Sequence, residues 1–192
     1  MADPRQKKIC ETIRELMHTA TTGRSPFTIM RPATVDTGGA PNARVVVLRE
    51  ANDGVLSFIT DLRSPKAKEI CAQPLVNLSG YEASSSVQLR VAGRARINTD
   101  EERRKKFWNG LLPHTHLLFW SPLAPGAIVS APEDLYTEVE LLNGDSAKLY
   151  AHFGLVDVIV DCIDWLDLST EPPVRCRFAR TRDGWEASWL AP

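Results

Sequence analysis

Apolar residues in this chain recur in two periods. At the N-terminus they fall at helical spacing (Ile9, Ile13, Leu16, Met17, Ala20) behind Asp3-Pro4, which reads as an N-cap followed by proline at the first helical position. This predicts an amphipathic helix over residues 1–22, packed as a lid on the core. After a Thr-Thr-Gly-Arg-Ser-Pro loop the pattern turns to short β-type runs. They cover 27–35, the run Val45, Val46, Val47, Leu48, then 55–60, 75–81, 86–97 and 153–168, and finally 174–180 with 185–190. Asn52-Asp53-Gly54 and Arg182-Asp183-Gly184 supply two hairpin turns. Ser64-Pro65-Lys66 opens a short helix through residue 73, ahead of Pro74. Thr99-Asp100-Glu101-Glu102 reads as a capping box for a charged helix ending near Trp108. Residues 121–132 are rich in turn residues and proline, and a helix is expected over 133–150, weakened by Asn143-Gly144. The expectation is a mainly β fold with peripheral helices (α+β), whose antiparallel strands close into a barrel. No repeat or linker divides it, so residues 1–192 read as one domain, with a C-terminal hairpin over 170–192.

Charge narrows the partners. With 23 basic and 24 acidic residues, nothing suggests a general affinity for nucleic acid or anionic lipid. The N-terminus lacks the apolar centre of a secretory signal and no stretch is long enough to span a bilayer, so a cytoplasmic protein without membrane contact is expected. Four scattered cysteines without CxxC spacing fit a reducing compartment and argue against a zinc cluster.

The chemistry concentrates between Pro41 and Lys66. Arg44 and Arg49 bracket the Val45 to Leu48 run, and Thr60, Arg63, Ser64 and Lys66 gather at the start of a helix. Two readings stand for these letters: a phosphate cradle, in which a guanidinium fork, hydroxyls and an ammonium meet free helix N–H groups, or a hairpin with solvated basic residues and a plain helix cap. Gln88 is a neutral polar residue in an otherwise apolar strand and needs a partner if buried. His114 and His116 have the spacing of two ligands on one strand face, but lie beside Pro113 without an adjoining carboxylate or thiol, which favours a polar loop. Trp108, Phe119 and Trp120 are expected in the core or at a subunit seam.

The strings R-V-V-V-L-R and F-I-T-D-L-R-S-P-K, the Val87-Gln88-Leu89-Arg90-Val91 strand with Gly93, the 175–185 hairpin and the terminal Trp189-Leu190-Ala191-Pro192 occur in this order. Together they resemble the pyridoxine/pyridoxamine 5′-phosphate oxidase family and its FMN-binding split-barrel relatives. The resemblance implies a homodimeric split barrel with FMN at the subunit interface. It places the FMN phosphate on Arg44, Thr60, Ser64 and Lys66, with Ile59 beside them and Arg63 as extra positive charge next door or a solvated side chain. The flavin lies along Val45, Val46, Val47 and Leu48, near Arg49, and its ring is reached by Gln88. Arg175 and Trp165 close the site from the second subunit, with Arg177 as the alternative arginine and Leu166 as the alternative to Trp165.

Departures limit what carries over. Phe107, Leu111 and Thr115 stand near the family's Tyr, Arg and Ser that grip the vitamin phosphate. Glu171-Pro172-Pro173 replaces an Arg-x-His element, and Ala124-Pro125 a flavin-contacting Gln-Ser pair. The resemblance therefore implies an FMN-dependent oxidoreductase acting on a small molecule other than the vitamin phosphate. Its alternatives are a flavin-binding protein without turnover, or a relative binding another ligand such as haem.

Overall fold

A computed structural model describes residues 3–52, 54–132 and 146–192. Helix α1 spans Pro4–Thr22, with the Asp3 carboxylate accepting from the Arg5 N–H as its cap. It lays Ile13, Met17 and Ala20 on the core, as the helical spacing predicts. The strands follow as β1 (Ile29–Val35), β2 (Pro41–Ala43), β3 (Val46–Asn52), β4 (Val55–Asp61), β5 (Leu75–Glu82), β6 (Val87–Ile97), β7 (Phe153–Asp167), β8 (Val174–Thr181) and β9 (Gly184–Leu190). Helices α2 (Pro65–Ala72), α3 (Glu101–Asn109), α4 (Pro113–His116) and α5 (Ser146–His152) lie between them. Of the helix expected over 133–150, only this last part falls within the described residues.

Neighbours run β4-β3-β1-β5-β6-β7, and β7 returns to pair with β4, so six antiparallel strands close a barrel. Closure removes the open edges that an extended sheet would expose. β7 is long enough for several jobs: residues 153–159 pair with β4, residues 156–167 pair with β6, and residues 162–167 carry the β8–β9 hairpin. At the bulge between Ala92 and Gly93, a Cβ on Gly93 would strike the Ile159 backbone, so the close approach of β6 and β7 requires glycine there. Gly54, at φ 74°, makes the β3–β4 turn.

The barrel is filled by Phe27, Met30, Leu48, Phe58, Leu78, Leu89, Val91 and Val158. A second cluster of Trp108, Phe119, Phe153 and Leu155 seats α3 and the following turn on the barrel. Here the histidine pair takes its place. Residues 113–116 are helical rather than a loop, and His116 stacks on Trp108 at 4.1 Å with Nε2 3.0 Å from the Trp108 carbonyl. His116 is thus a packing residue, and no metal-ligating cluster occurs among the described residues.

Two local expectations change. Asp100, not Thr99, caps α3, because the helix begins at Glu101; its carboxylate accepts from the N–H groups of Glu102 and Arg103. β2, which was not foreseen, pairs with β1 and brings Asn42 beside Thr34. α3 is pinned by a buried polar network. Asp157, 1% exposed, accepts from Ser57 Oγ (2.7 Å), Asn98 Nδ2 (2.6 Å) and, at both carboxylate oxygens, Arg103 Nη1 (2.8 and 2.9 Å). Arg103 Nη2 also meets Glu50. Burial raises the Asp157 carboxyl pKa, but these donors outweigh it and hold the group below the ordinary range.

Candidate functional site

The end of β4 and the start of α2 gather the proposed phosphate residues. Ser64 occupies the N-cap of α2 yet makes no side-chain cap bond. Its hydroxyl lies instead 3.1 Å from Thr60 Oγ1 and 3.4 Å from Lys66 Nζ, while Lys66 Nζ donates to Thr60 Oγ1 at 2.7 Å. The plain-cap reading of Ser64 therefore gives way to a three-residue polar cluster. Lys66 has no carboxylate within ion-pair distance among the described residues. Burial pushes its pKa down, and the Arg44 charge adds to this, against smaller opposing effects of Asp61 and Glu69.

Arg44 leaves the β2–β3 link and is held from behind. Its Nη2 pairs with Glu69 at 2.6 Å, and its Nη1 meets Thr34 Oγ1 and donates to the Asn42 carbonyl at 3.0 Å. Buried Glu69, from α2, also accepts from Asn42 Nδ2 at 3.1 Å and from Thr34. Sequence reasoning missed Glu69, Thr34 and Asn42. The signal for Glu69 was an acidic residue on the inward side of a short helix, and buried acids are almost always paired.

The other expected residues divide. Arg63 turns away from the cluster, donating to Asp61 (2.7 Å) and to the Ser121 carbonyl (2.9 Å), so it ties the α2 entry to the 121–122 segment. Ile59 packs against the Trp108 cluster. Entering β3, Val46 and Leu48 fill the core while Val47 and Val45, just before the strand and 58% exposed, face outward. Arg49 is half-buried beyond them.

Gln88, Leu166 and Arg175 stand in register across β6, β7 and β8 and share the outer sheet face. Gln88 is half-buried and makes no side-chain hydrogen bond among the described residues. Arg175 binds Asp164 (2.8 and 3.0 Å), which Arg90 also meets at 2.7 Å. Trp165 faces the other way. It is 6% exposed, in the barrel core with Leu89 and Cys176, so the structure places Leu166 rather than Trp165 on the face of Gln88 and Arg175.

These two groups lie at opposite ends of β7, since Thr60 pairs with Gly154 and Gln88 with Leu166. That is roughly 40 Å of strand at about 3.3 Å per residue.

A family model described as "Pyridoxamine 5′-phosphate oxidase" matches residues 18–132. The chain belongs to the pyridoxamine 5′-phosphate oxidase family. It is 26% identical over 169 residues to the pyridoxine/pyridoxamine 5′-phosphate oxidase of Mannheimia succiniciproducens, covering 86% of this chain and 79% of that protein. The Paraburkholderia xenovorans enzyme is 27% identical over 168 residues, 85% of this chain and 78% of that one. Among solved structures, a pyridoxamine 5′-phosphate oxidase-related, FMN-binding protein from Nostoc punctiforme superimposes with a TM-score of 0.75 at 24% identity, covering 95% and 96% of the two chains. PhzG from Burkholderia lata, in complex with tetrahydrophenazine-1-carboxylic acid, gives 0.77 at 18% identity, covering 100% and 98%. The split barrel read from the sequence is thus the fold of this family, and the family is FMN-binding. No helix among the described residues is long and apolar enough to cross a membrane.

Proposed function

We propose that this member of the family binds FMN as a homodimer and acts as an oxidoreductase on a small molecule other than the vitamin phosphate. The observation that carries the cofactor reading is Lys66. It is a partly buried ammonium whose hydrogen-bond partners among the described residues are the hydroxyls of Thr60 and Ser64, with the Arg44 guanidinium close by. Such a cluster holds positive charge that a phosphate would balance. Glu69 and Thr34 hold the Arg44 fork in place before any anion arrives, so little side-chain freedom remains to be lost on binding.

From this cluster the exposed face of Val45 and Val47 leads toward Arg49, giving the flavin an apolar bed. Gln88 and Arg175 lie too far along β7 to serve the same cofactor within one subunit. A second copy, related by a two-fold axis, supplies them, and two equivalent sites result. Bound there, the flavin would provide hydride or electron transfer; the protein provides binding, orientation and exclusion of water. Phe107 and Leu111 give no charged grip for a vitamin phosphate.

FMN and riboflavin titrations by flavin fluorescence quenching test the cradle. FMN should bind far more tightly, and Arg44→Ala should weaken it roughly tenfold or more, since a lost charged hydrogen bond costs about 1.5–3 kcal/mol. Equal affinity for the two flavins rules the cradle out. Sedimentation of the FMN-loaded protein tests the shared site, and a monomer that binds FMN tightly defeats it.

A further inference from the structure

Arg49 is the extra residue of a β-bulge. Leu48 pairs with Phe58 and Glu50 with Ser57, leaving Arg49 with no opposite number on β4. A bulge re-aims the side chain it carries. This one borders a cavity of about 400 Å³ under the end of α1, lined also by Thr28, Val47, Lys106, Phe107 and Leu111. Among the described residues Arg49 makes no hydrogen bond or ion pair, and its buried Nε has no partner. Burial alone lowers its pKa.

Two other charged residues line this cavity. Glu50 is taken by Arg103, and Lys106 stands exposed at the rim. The opposite wall is apolar, and the Phe107 ring is steadied by the Arg103 guanidinium 5.6 Å from its centre. One half-buried guanidinium, unpaired among the described residues and facing an aromatic and an aliphatic wall, is the complement of a ring-bearing monoanion. A phosphate dianion would bring a second charge into this space with no buried partner for it.

We infer that the Arg49 cavity binds the carboxylate of a small cyclic or aromatic acid, the substrate class of this protein. The cavity shares Val47 and Leu48 with the strand proposed to bed the flavin, so the ring of such an acid would lie beside the redox centre. That last placement rests on the flavin reading; the anion site does not.

Benzoate and its neutral isostere benzamide are the probes, titrated calorimetrically into the full-length protein, both FMN-loaded and flavin-free. Benzoate should bind at least about tenfold tighter than benzamide in both forms. Arg49→Gln should abolish the preference, and Arg49→Lys, which keeps charge without the fork, should retain part of it. Phe107→Ala should weaken both probes alike, with circular dichroism confirming that each variant is folded. Equal affinity for the two probes, or an unchanged preference in Arg49→Gln, overturns the inference. So does displacement of benzoate by FMN, which would give the guanidinium to the flavin itself. A protein that shows the charge preference yet binds no FMN keeps the anion site and loses the flavin reading alone.

Discussion

Replacing Lys66 by methionine should move two properties in opposite directions. The side chain keeps an apolar stem one atom shorter and loses its charge. In the free protein that charge is partly buried, rests on the Thr60 and Ser64 hydroxyls (2.7 and 3.4 Å) and has Arg44 nearby. Its lowered pKa states that the fold disfavours the ammonium, so the flavin-free variant should melt at a higher temperature than the parent. The FMN phosphate loses a charged hydrogen bond worth about 1.5–3 kcal/mol, an affinity loss of between about tenfold and a hundredfold. Riboflavin, which lacks the phosphate, should bind as before, so the ratio of the two affinities collapses. Quenching titrations with both flavins and a thermal melt of the flavin-free proteins supply the readouts. Equal weakening of FMN and riboflavin would place Lys66 on the ring side. A fall in melting temperature would show that the hydroxyls already satisfy the ammonium. Either result refutes the argument.

Because the Lys66 pKa is depressed in the free protein and a bound phosphate raises it, FMN affinity should fall as pH rises toward the ordinary lysine range near 10.4. Titrations across that range should show a smaller fall in Lys66→Arg. Glu69→Gln should weaken FMN but not riboflavin, since it frees the Arg44 fork, and parallel quenching curves for the two flavins would contradict this. Asp157→Ala should cost roughly 3 kcal/mol by denaturant unfolding, the lower end for a broken buried pair because Arg103 keeps Glu50. In the parent, the stability that Asp157 provides is present above its unfolded pKa near 3.9 and disappears as pH falls through its lower folded value. The FMN-loaded protein should oxidise little or no pyridoxamine 5′-phosphate in air, followed as pyridoxal 5′-phosphate and peroxide; robust turnover would show another grip on the phosphate.

Much of the fold was legible because its signals are local. The Asp3 cap, the Gly54 turn, the Ser64-Pro65 helix start and the alternation of β5 and β6 are each written within a few residues. What was not legible depends on partners far along the chain. Nothing near Arg44 in sequence announces Glu69, and nothing near Asp157 announces Ser57. Trp165 shows the sharper limit. Neighbouring residues on a strand face opposite ways, so placing the tryptophan or Leu166 by counting from a distant motif turns on one residue of register. The same holds at Arg49, where one additional residue in β3, visible only against β4, decides where a guanidinium points.

The return of β7 to β4 also constrains how the chain comes to be folded. The Ser57–Asp157 bond spans 100 residues of sequence, and the β4–β7 ladder around it joins equally distant segments. On a ribosome adding about 5–20 residues per second, β4 waits several seconds or longer with one edge unpaired. During that interval the barrel stays open, and the exposed edge can pair with another chain. Long-range pairing of this kind is also slow once the strands are available. On the proposed reading, FMN would therefore bind as a late check on assembly rather than as a template for it. Yields of soluble protein should depend more on synthesis rate and temperature than on the supply of flavin.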